Sequence, residues 1–311
     1  MDSMKYKEIK MVVDEKYNTF RVDKYIAEMN NTLSRSYIQK LILDKMVSNE
    51  DKTLKSNYRV KTGDVVIMLV PTLKEAQISP ENILLDVLYE DKDIIIINKQ
   101  KSMIVHPASG HFSSTLVNAL LYHYPNELSD INGENRPGIV HRLDQDTTGA
   151  IIVCKNNFAH SHIAKQFKDG TVIRKYRAIV YNHFNEPGGQ INSSIARHPK
   201  ERVKMTINNE NGRLAVTNYT VINNMKDNYS YIECSLKTGR THQIRIHMAS
   251  IAHPVLGDIL YGPNKRSQFN LTGQTLHAYK LGIIHPTTNE YFEIKAPLPD
   301  YFKQLLNSLQ D

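Results

Sequence analysis

Apolar residues at Val22, Tyr25, Ile26 and Met29 recur with helical spacing and predict a first helix in the segment Phe20 to Met29. Ser34 then stands as an N-cap before a second, Tyr37 to Ile42. Met11-Val12-Val13 and Val65-Val66-Ile67 read as short strands on either side of this helix pair. A polar stretch bounded by Pro71 and Pro80 follows, and marks a linker at 72–82 between a small domain, 1–71, and a large one, 83–311. In the large domain, Leu88 to Lys99 reads as two strands around an acidic turn. His106 to His111 reads as a loop, and Thr115 to Tyr124 as a helix. Ala150-Ile151-Ile152-Val153-Cys154 is an unbroken apolar run and predicts a buried strand. A short amphipathic helix (159–167) and an alternating strand (171–180) come next, then strands near 203–207, 214–222 and 230–237. Thr241 to Ala249 is a helix candidate, and short strands with a Pro/Gly-rich loop (257–263) complete the chain. Many strands with few helices predict an α+β fold built on a mixed, mainly antiparallel sheet.

Composition narrows the partners. An apolar fraction of 41% over 311 residues supports a core, and no stretch approaches the ~18 apolar residues of a membrane span. The charged start, Met1 to Glu8, has no apolar signal core, which points to the cytoplasm. Cys154 and Cys234 lie far apart inside strand-like runs and read as buried small hydrophobes. A net charge of +7 with a pI near 9.1 suits a polyanionic partner. Tryptophan is absent, so base stacking would fall to the 17 tyrosines or to Phe, His or Arg.

Four windows carry candidate chemistry. His141-Arg142-Leu143-Asp144 follows the turn signal Arg136-Pro137-Gly138 and leads into the buried strand, a context that holds a carboxylate at a fixed place. The bland reading is a surface ion pair worth roughly 0–1 kcal/mol. Tyr176 lies mid-strand among basic residues, where its ring suits stacking or proton transfer. Arg240, His242, Gln243 and Arg245 gather at a helical start, which favours an anion. Asn98-Lys99 and His106-Pro107 place polar groups at strand ends. His242 and His247 are not on the i, i+4 spacing of a helical ligand pair, so no metal is expected. Arg21, Lys24, Arg35, Lys40 and Lys45 could form one basic face on the first helix pair, or only a solvated surface.

Two resemblances organise these windows. Arg-Val-Asp-Lys-Tyr-Ile, Leu-Ser-Arg-Ser-Tyr-Ile-Gln-Lys-Leu-Ile and Val-Lys-Thr-Gly-Asp-Val-Val, across residues 19–70, resemble the small α/β RNA-binding domain of the ribosomal-protein S-four type. That family has a glycine before its hydrophobic strand and Val-Asn-Gly after it; here the stretch is Asp44-Lys45-Met46-Val47-Ser48-Asn49-Glu50. Residues 86–305 resemble the RluA/RluD family of pseudouridine synthases. The signature His-Arg-Leu-Asp-x-x-Thr-Ser-Gly stands as His141 to Gly149, with Thr148 for serine. Leu236-Lys237-Thr238-Gly239-Arg240-Thr241-His242-Gln243-Ile244-Arg245-Ile246-His247-Met248, Leu256-Gly257-Asp258 and Leu276-His277-Ala278 follow in the family's order. The family's Asn-Lys-Pro-x-Gly appears as Asn98-Lys99-Gln100-Lys101-Ser102.

The resemblance implies an enzyme that isomerises uridine in RNA, ribosomal RNA of the large subunit in the RluD-like branch, working as a monomer without a cofactor. It implies Asp144 as the catalytic carboxylate, Arg142 filling the gap left by a flipped uridine, Tyr176 against the flipped base, and Arg245 paired with Asp144. His141, Arg240, His242 and Gln243 are expected at the substrate, and Arg21, Lys24, Arg35 and Lys40 at RNA in the N-terminal domain. A non-catalytic RNA-binding or ribosome-assembly factor on the same scaffold is the alternative. A third reading, a glycoside hydrolase, would need a second placed carboxylate, and none is assigned in the sequence.

Overall fold

The computed structural model describes residues 5–30, 33–50, 52–72, 78–107, 111–133, 135–263 and 269–310. The chain divides into two compact units, 1–77 and 78–311. Parts of the expected linker (73–77) and of the 106–111 loop (108–110) lie outside the described residues.

In the first unit, β1 (Lys5–Val12) is followed by α1 (Val22–Met29) and α2 (Arg35–Leu43), then β2 (Val47–Asn49), β3 (Lys52–Thr53) and β4 (Val65–Thr72). The strands form an antiparallel sheet in the order β1-β4-β2-β3. The helical spacing puts Val22, Tyr25 and Ile26 of α1 against Ile38, Leu41 and Ile42 of α2, over Met11, Val66 and Met68 of the sheet. Met29, which shares that spacing, is 45% exposed instead. Ser34 caps α2 by accepting the Tyr37 N–H at 3.3 Å. Lys45 and Glu50, on either side of β2, have left-handed backbone with φ 61° and 49°. These are the positions where the S-four pattern carries glycine.

The second unit runs β5 (Val87–Glu90), β6 (Ile94–Lys99), α3 (Leu116–His123), β7 (Thr148–Cys154), α4 (Asn157–Asp169), β8 (Ile173–Tyr181), β9 (Gly188–Arg197), β10 (Met205–Ile207), β11 (Arg213–Met225), β12 (Tyr229–Leu236), α5 (Gln243–Ser250), β13 (Leu276–Ile284), β14 (Tyr291–Lys295) and α6 (Asp300–Ser308). Its sheet has the order β10-β9-β11-β12-β8-β13-β7-β6-β5, with β14 beside β13. Every pairing is antiparallel except that of β13 with β7. Ile94–Ile97 of β6 and Ala150–Cys154 of β7 are apolar without interruption because both faces are covered there. Ile95, Ile97, Ile151 and Val153 enter one core with α3, while Ile94, Ile96, Ala150 and Ile152 enter another with α4.

Three elements differ from the sequence expectation. β9 is a ten-residue strand in which only Ile191 and Ile195 are buried, too sparse an apolar pattern to stand out. α6 covers the sheet through Phe302 and Leu305. α5 starts at Gln243 rather than Thr241, because His242 before it takes the left-handed conformation (φ 57°). No helix among the described residues is long and apolar enough to cross a membrane.

Candidate active site

Asp144 sits on a turn immediately before the buried strand β7, and the Thr147 N–H closes that turn onto the Asp144 carbonyl at 3.0 Å. Lys99, at the end of β6 and 1% exposed, donates to the carbonyls of Gln100, Met103 and Gln145 at 2.8–2.9 Å. Its ammonium thereby fastens the turn to the neighbouring loop. Burial lowers its pKa to about 7, against the opposing pull of Asp146 and Asp144. That neighbouring loop contains Ser102, left-handed at φ 63° where the family pattern has glycine.

Behind the turn, β7 and β13 approach closely. Gly149 has φ 107°, and a Cβ there would lie 2.3 Å from the Ala278 carbonyl oxygen, so the last glycine of the motif is required by backbone contact. Thr148 retains the hydroxyl of the family's serine and bonds His277 Nδ1 at 2.8 Å. His277 Nε2 faces the Ala296 carbonyl at 3.2 Å; a carbonyl only accepts, so Nε2 carries the proton and Nδ1 accepts from Thr148.

In front of the turn lies a cavity of about 300 Å³ lined by Arg142, Asp144, Tyr176, Arg240, His242 and Arg245, and also by His141 and Gln243. The eight residues expected at the chemistry or the substrate thus share one cavity. Arg245 Nη1 is 3.2 Å from Asp144 Oδ2, and Arg245 also grips Asp258 through Nε and Nη2 at 2.6 and 2.8 Å. Burial alone would lower the pKa of this guanidinium, but the two carboxylates more than reverse that and raise it. Asp258 in turn accepts the N–H groups of Leu260 and Tyr261.

On the other side, His242 Nε2 lies 3.9 Å from Asp144 Oδ1, and Nδ1 is 2.9 Å from the Tyr261 hydroxyl. Burial lowers the pKa of His242, with Asp144 and Asp258 opposing the shift and Arg245 and Arg142 adding to it, so the ring is neutral at pH 7. Tyr176 is 8% exposed, and burial raises its pKa, with Asp144 adding to the shift and Arg174 opposing it. The phenol is therefore protonated at neutral pH. Arg142 is exposed at the cavity rim, and Arg240 bonds the Leu214 carbonyl at 3.0 Å.

Several expectations are corrected. Gln243 is 3% exposed, and its amide is fully used inside the protein: Oε1 accepts from Thr238 and the Arg240 N–H, and Nε2 donates to Val216 and Thr217. It shapes the turn before α5 and has no group left for a substrate. His141 accepts the Ile152 N–H at Nε2 and stacks on Phe167. The Asn98 and His106 window does not line the cavity; Asn98 bonds Asp86, and His106 is buried. In the first unit, Arg21 and Arg35 both bind Asp23 through Nε and Nη2 while their side chains stay 41% and 47% exposed, and Lys24, Lys40 and Lys45 are exposed. Asp91, Asp93 and His285 are close enough together to suggest a metal site. Hydrogen bonds among them, and from Thr287, already join the β5–β6 turn to the β13–β14 turn.

Residues 93–250 match the RNA pseudouridylate synthase family. An RNA pseudouridine synthase of Bacillus subtilis is 42% identical over 303 residues, covering 97% of this chain and 98% of that one. The chain belongs to the RNA pseudouridylate synthase family. The synthase is an isomerase that acts on RNA. It is also 40% identical over 299 residues to the ribosomal large subunit pseudouridine synthase D of Zymomonas mobilis, covering 93% of this chain and 94% of that one. Human RNA pseudouridylate synthase domain containing 1 has the same fold, with a TM-score of 0.58 at 26% identity over 73% of this chain and 95% of that one. Sequence reasoning gave no role to Asp258, Tyr261, Phe167 or Arg174, which hold or line the site. Asp258 lies in a motif already quoted, but nothing local to it reveals that its partner is Arg245.

Proposed function

We propose that the synthase modifies uridines of large-subunit ribosomal RNA, with Asp144 as the catalytic carboxylate. The observation that carries the assignment is the carboxylate itself, held by Arg245 at 3.2 Å in a cavity of about 300 Å³ that Tyr176 also lines. That volume is at the small end of ligand pockets, about 300–1,000 Å³, and suits one extruded nucleotide. Unstacking costs a few kcal/mol, which contacts inside the pocket offset. Arg142, exposed at the rim, fills the gap in the RNA. Tyr176 stacks on the base, and its protonated phenol suits giving a proton better than taking one. The choice of ribosomal RNA draws on the printed names of relatives such as that of Zymomonas mobilis.

The first unit serves as an RNA-binding domain of the S-four type, with Arg21, Lys24, Arg35 and Lys40 toward the RNA, and the enzyme works as a cytoplasmic monomer. Asp144→Ala is expected to abolish pseudouridine formation, read by mapping the modified base, while RNA binding persists; turnover in that variant would overturn the assignment. The double charge reversal Lys24→Glu, Lys40→Glu is expected to lower RNA affinity and flatten its salt dependence with little change in the rate on saturating RNA. Unchanged affinity would remove the first unit from the RNA interface.

A further inference from the structure

Among the arginines lining the cavity, Arg142 stands exposed to solvent and Arg240 donates to the Leu214 carbonyl at 3.0 Å. On the face of β8 away from Tyr176, Lys175 and Arg177 both bind Glu233, at 2.8 and 2.9 Å. Arg245 holds two carboxylates. Arg174 is different. It precedes Tyr176 by two positions on β8, so both side chains share the cavity face, and it is 8% exposed. Its guanidinium makes no hydrogen bond or ion pair within the described residues, and its buried Nε has no partner. What fixes it is apolar: the guanidinium carbon lies 5.4 Å from the centre of the Phe167 ring. Gly239 leaves room beside it, since a Cβ there would meet Nη1 at 2.6 Å.

A buried, unpaired cation costs several kcal/mol, and arginine does not escape the cost by losing its proton. We infer that Arg174 is a catalytic residue whose guanidinium bonds a carbonyl oxygen of the flipped uracil and stabilises negative charge on the base while it is detached from ribose. This rests on the reading of the cavity as a uridine pocket. A backbone phosphate is the less suitable anion, because the phosphodiester passes along the surface, where Arg142 stands exposed.

The electron count shows when the cation matters. As the C1′–N1 bond breaks, its electron pair stays with the base and spreads onto the two carbonyl oxygens, while Asp144 faces the electron-poor C1′. The base turns, an electron pair at C5 forms the C1′–C5 bond, the C5 hydrogen leaves as a proton, and N1 gains a proton. No atom is gained or lost overall. Between breaking and making the bond the base is an anion, and a fixed cation beside its carbonyls acts most strongly in that interval.

The test compares full-length Arg174→Gln and Arg174→Lys with the unaltered enzyme, in single turnovers at saturating RNA and in RNA-binding titrations. Arg174→Gln is expected to slow the single-turnover rate about 100-fold or more, with Kd within about threefold, and Arg174→Lys to recover part of the loss. The thermal midpoint of Arg174→Gln is expected to stay level or rise, because an unpaired buried charge has gone. On RNA carrying 5-fluorouridine, which has no C5 hydrogen to lose, the reading is disappearance of the starting nucleoside as the C1′–N1 bond breaks; the electron-withdrawing fluorine stabilises the base anion, so the deficit of Arg174→Gln is expected to shrink. A normal rate in Arg174→Gln, or weakened binding at a normal rate, would overturn the inference. So would an equal deficit on both substrates, which would mark a structural role. Asp144→Asn run in parallel separates the two ideas: turnover there sinks the uridine-pocket reading, whereas a dead Asp144→Asn beside a normal Arg174→Gln sinks only the role of Arg174.

Discussion

Each unit of the chain contains an arginine two positions before an aspartate, Arg21-Val22-Asp23 in the first and Arg142-Leu143-Asp144 in the second. The local pattern is the same and the outcome is not. Asp23 is fully buried and accepts from Arg21, Arg35 and Gln39. Burial alone would raise its pKa, but hydrogen bonds from Arg35, Gln39 and Arg21 outweigh it and hold the carboxyl far below the usual range. Asp144 ignores the arginine beside it and takes one N–H from Arg245, about a hundred residues later, at 3.2 Å. The shorter bonds of Arg245 go to Asp258. A carboxylate surrounded by donors is a fastener, whereas one held from a single side keeps lone pairs for a substrate. Asp144 is of the second kind, and its side chain remains 17% exposed to the cavity.

Removing the support behind Asp144 should have the largest effect. Asp258→Asn breaks a buried charged pair and is expected to cost about 3 kcal/mol in the unfolding of the second unit. Turnover should fall by about 100-fold as Arg245 loses its orientation; chemical denaturation and single-turnover kinetics read the two effects. Normal kinetics would mean that Arg245 needs no second carboxylate.

Asp23→Asn should act on stability alone, by about 2 kcal/mol in the first unit, with the rate on a short saturating RNA unchanged. Because the folded pKa of Asp23 is depressed, its stabilisation is complete above about pH 4, where the unfolded carboxyl is also ionised. It is lost as the pH falls from there through the folded value. The stability gap between the unaltered protein and Asp23→Asn should therefore close on acidification within that window, and a constant gap would show that the charge is not what matters.

The smallest effect tests strain shared by both units. Lys45→Gly, Glu50→Gly and Ser102→Gly each relieve a left-handed backbone and should add about 0.5–1 kcal/mol, read as a rise in thermal midpoint, without altering the asymmetry between the two aspartates.

Much of this architecture is visible in the sequence, for physical reasons that differ by region. Helix α1 announces itself because Val22, Tyr25 and Ile26 repeat at the helical period, and β7 because both of its faces are buried. The gathering of Asp144, Tyr176 and Arg245 follows from an ordered string of motifs, not from periodicity. The contacts that set the site apart are tertiary and leave no local trace. Arg35 reaches Asp23 from the next helix, Asp258 reaches Arg245 from beyond the end of α5, and the openness of Arg174 depends on a missing side chain at Gly239. Lys45, Glu50 and Ser102 stand where the resembled patterns have glycine. The backbone there keeps the glycine-like conformation and bears the strain.

The position of β13 bears on how the enzyme comes into being. This late strand lies between β7, which carries the turn of Asp144, and β8, which carries Tyr176. While the chain is still emerging from the ribosome, those two strands have no shared neighbour until residue 284 is free, so the nascent protein cannot assemble its reaction centre early. Arrested chains ending before Leu276 should leave both strand edges open to a protease, and protection of those edges would contradict this order of assembly.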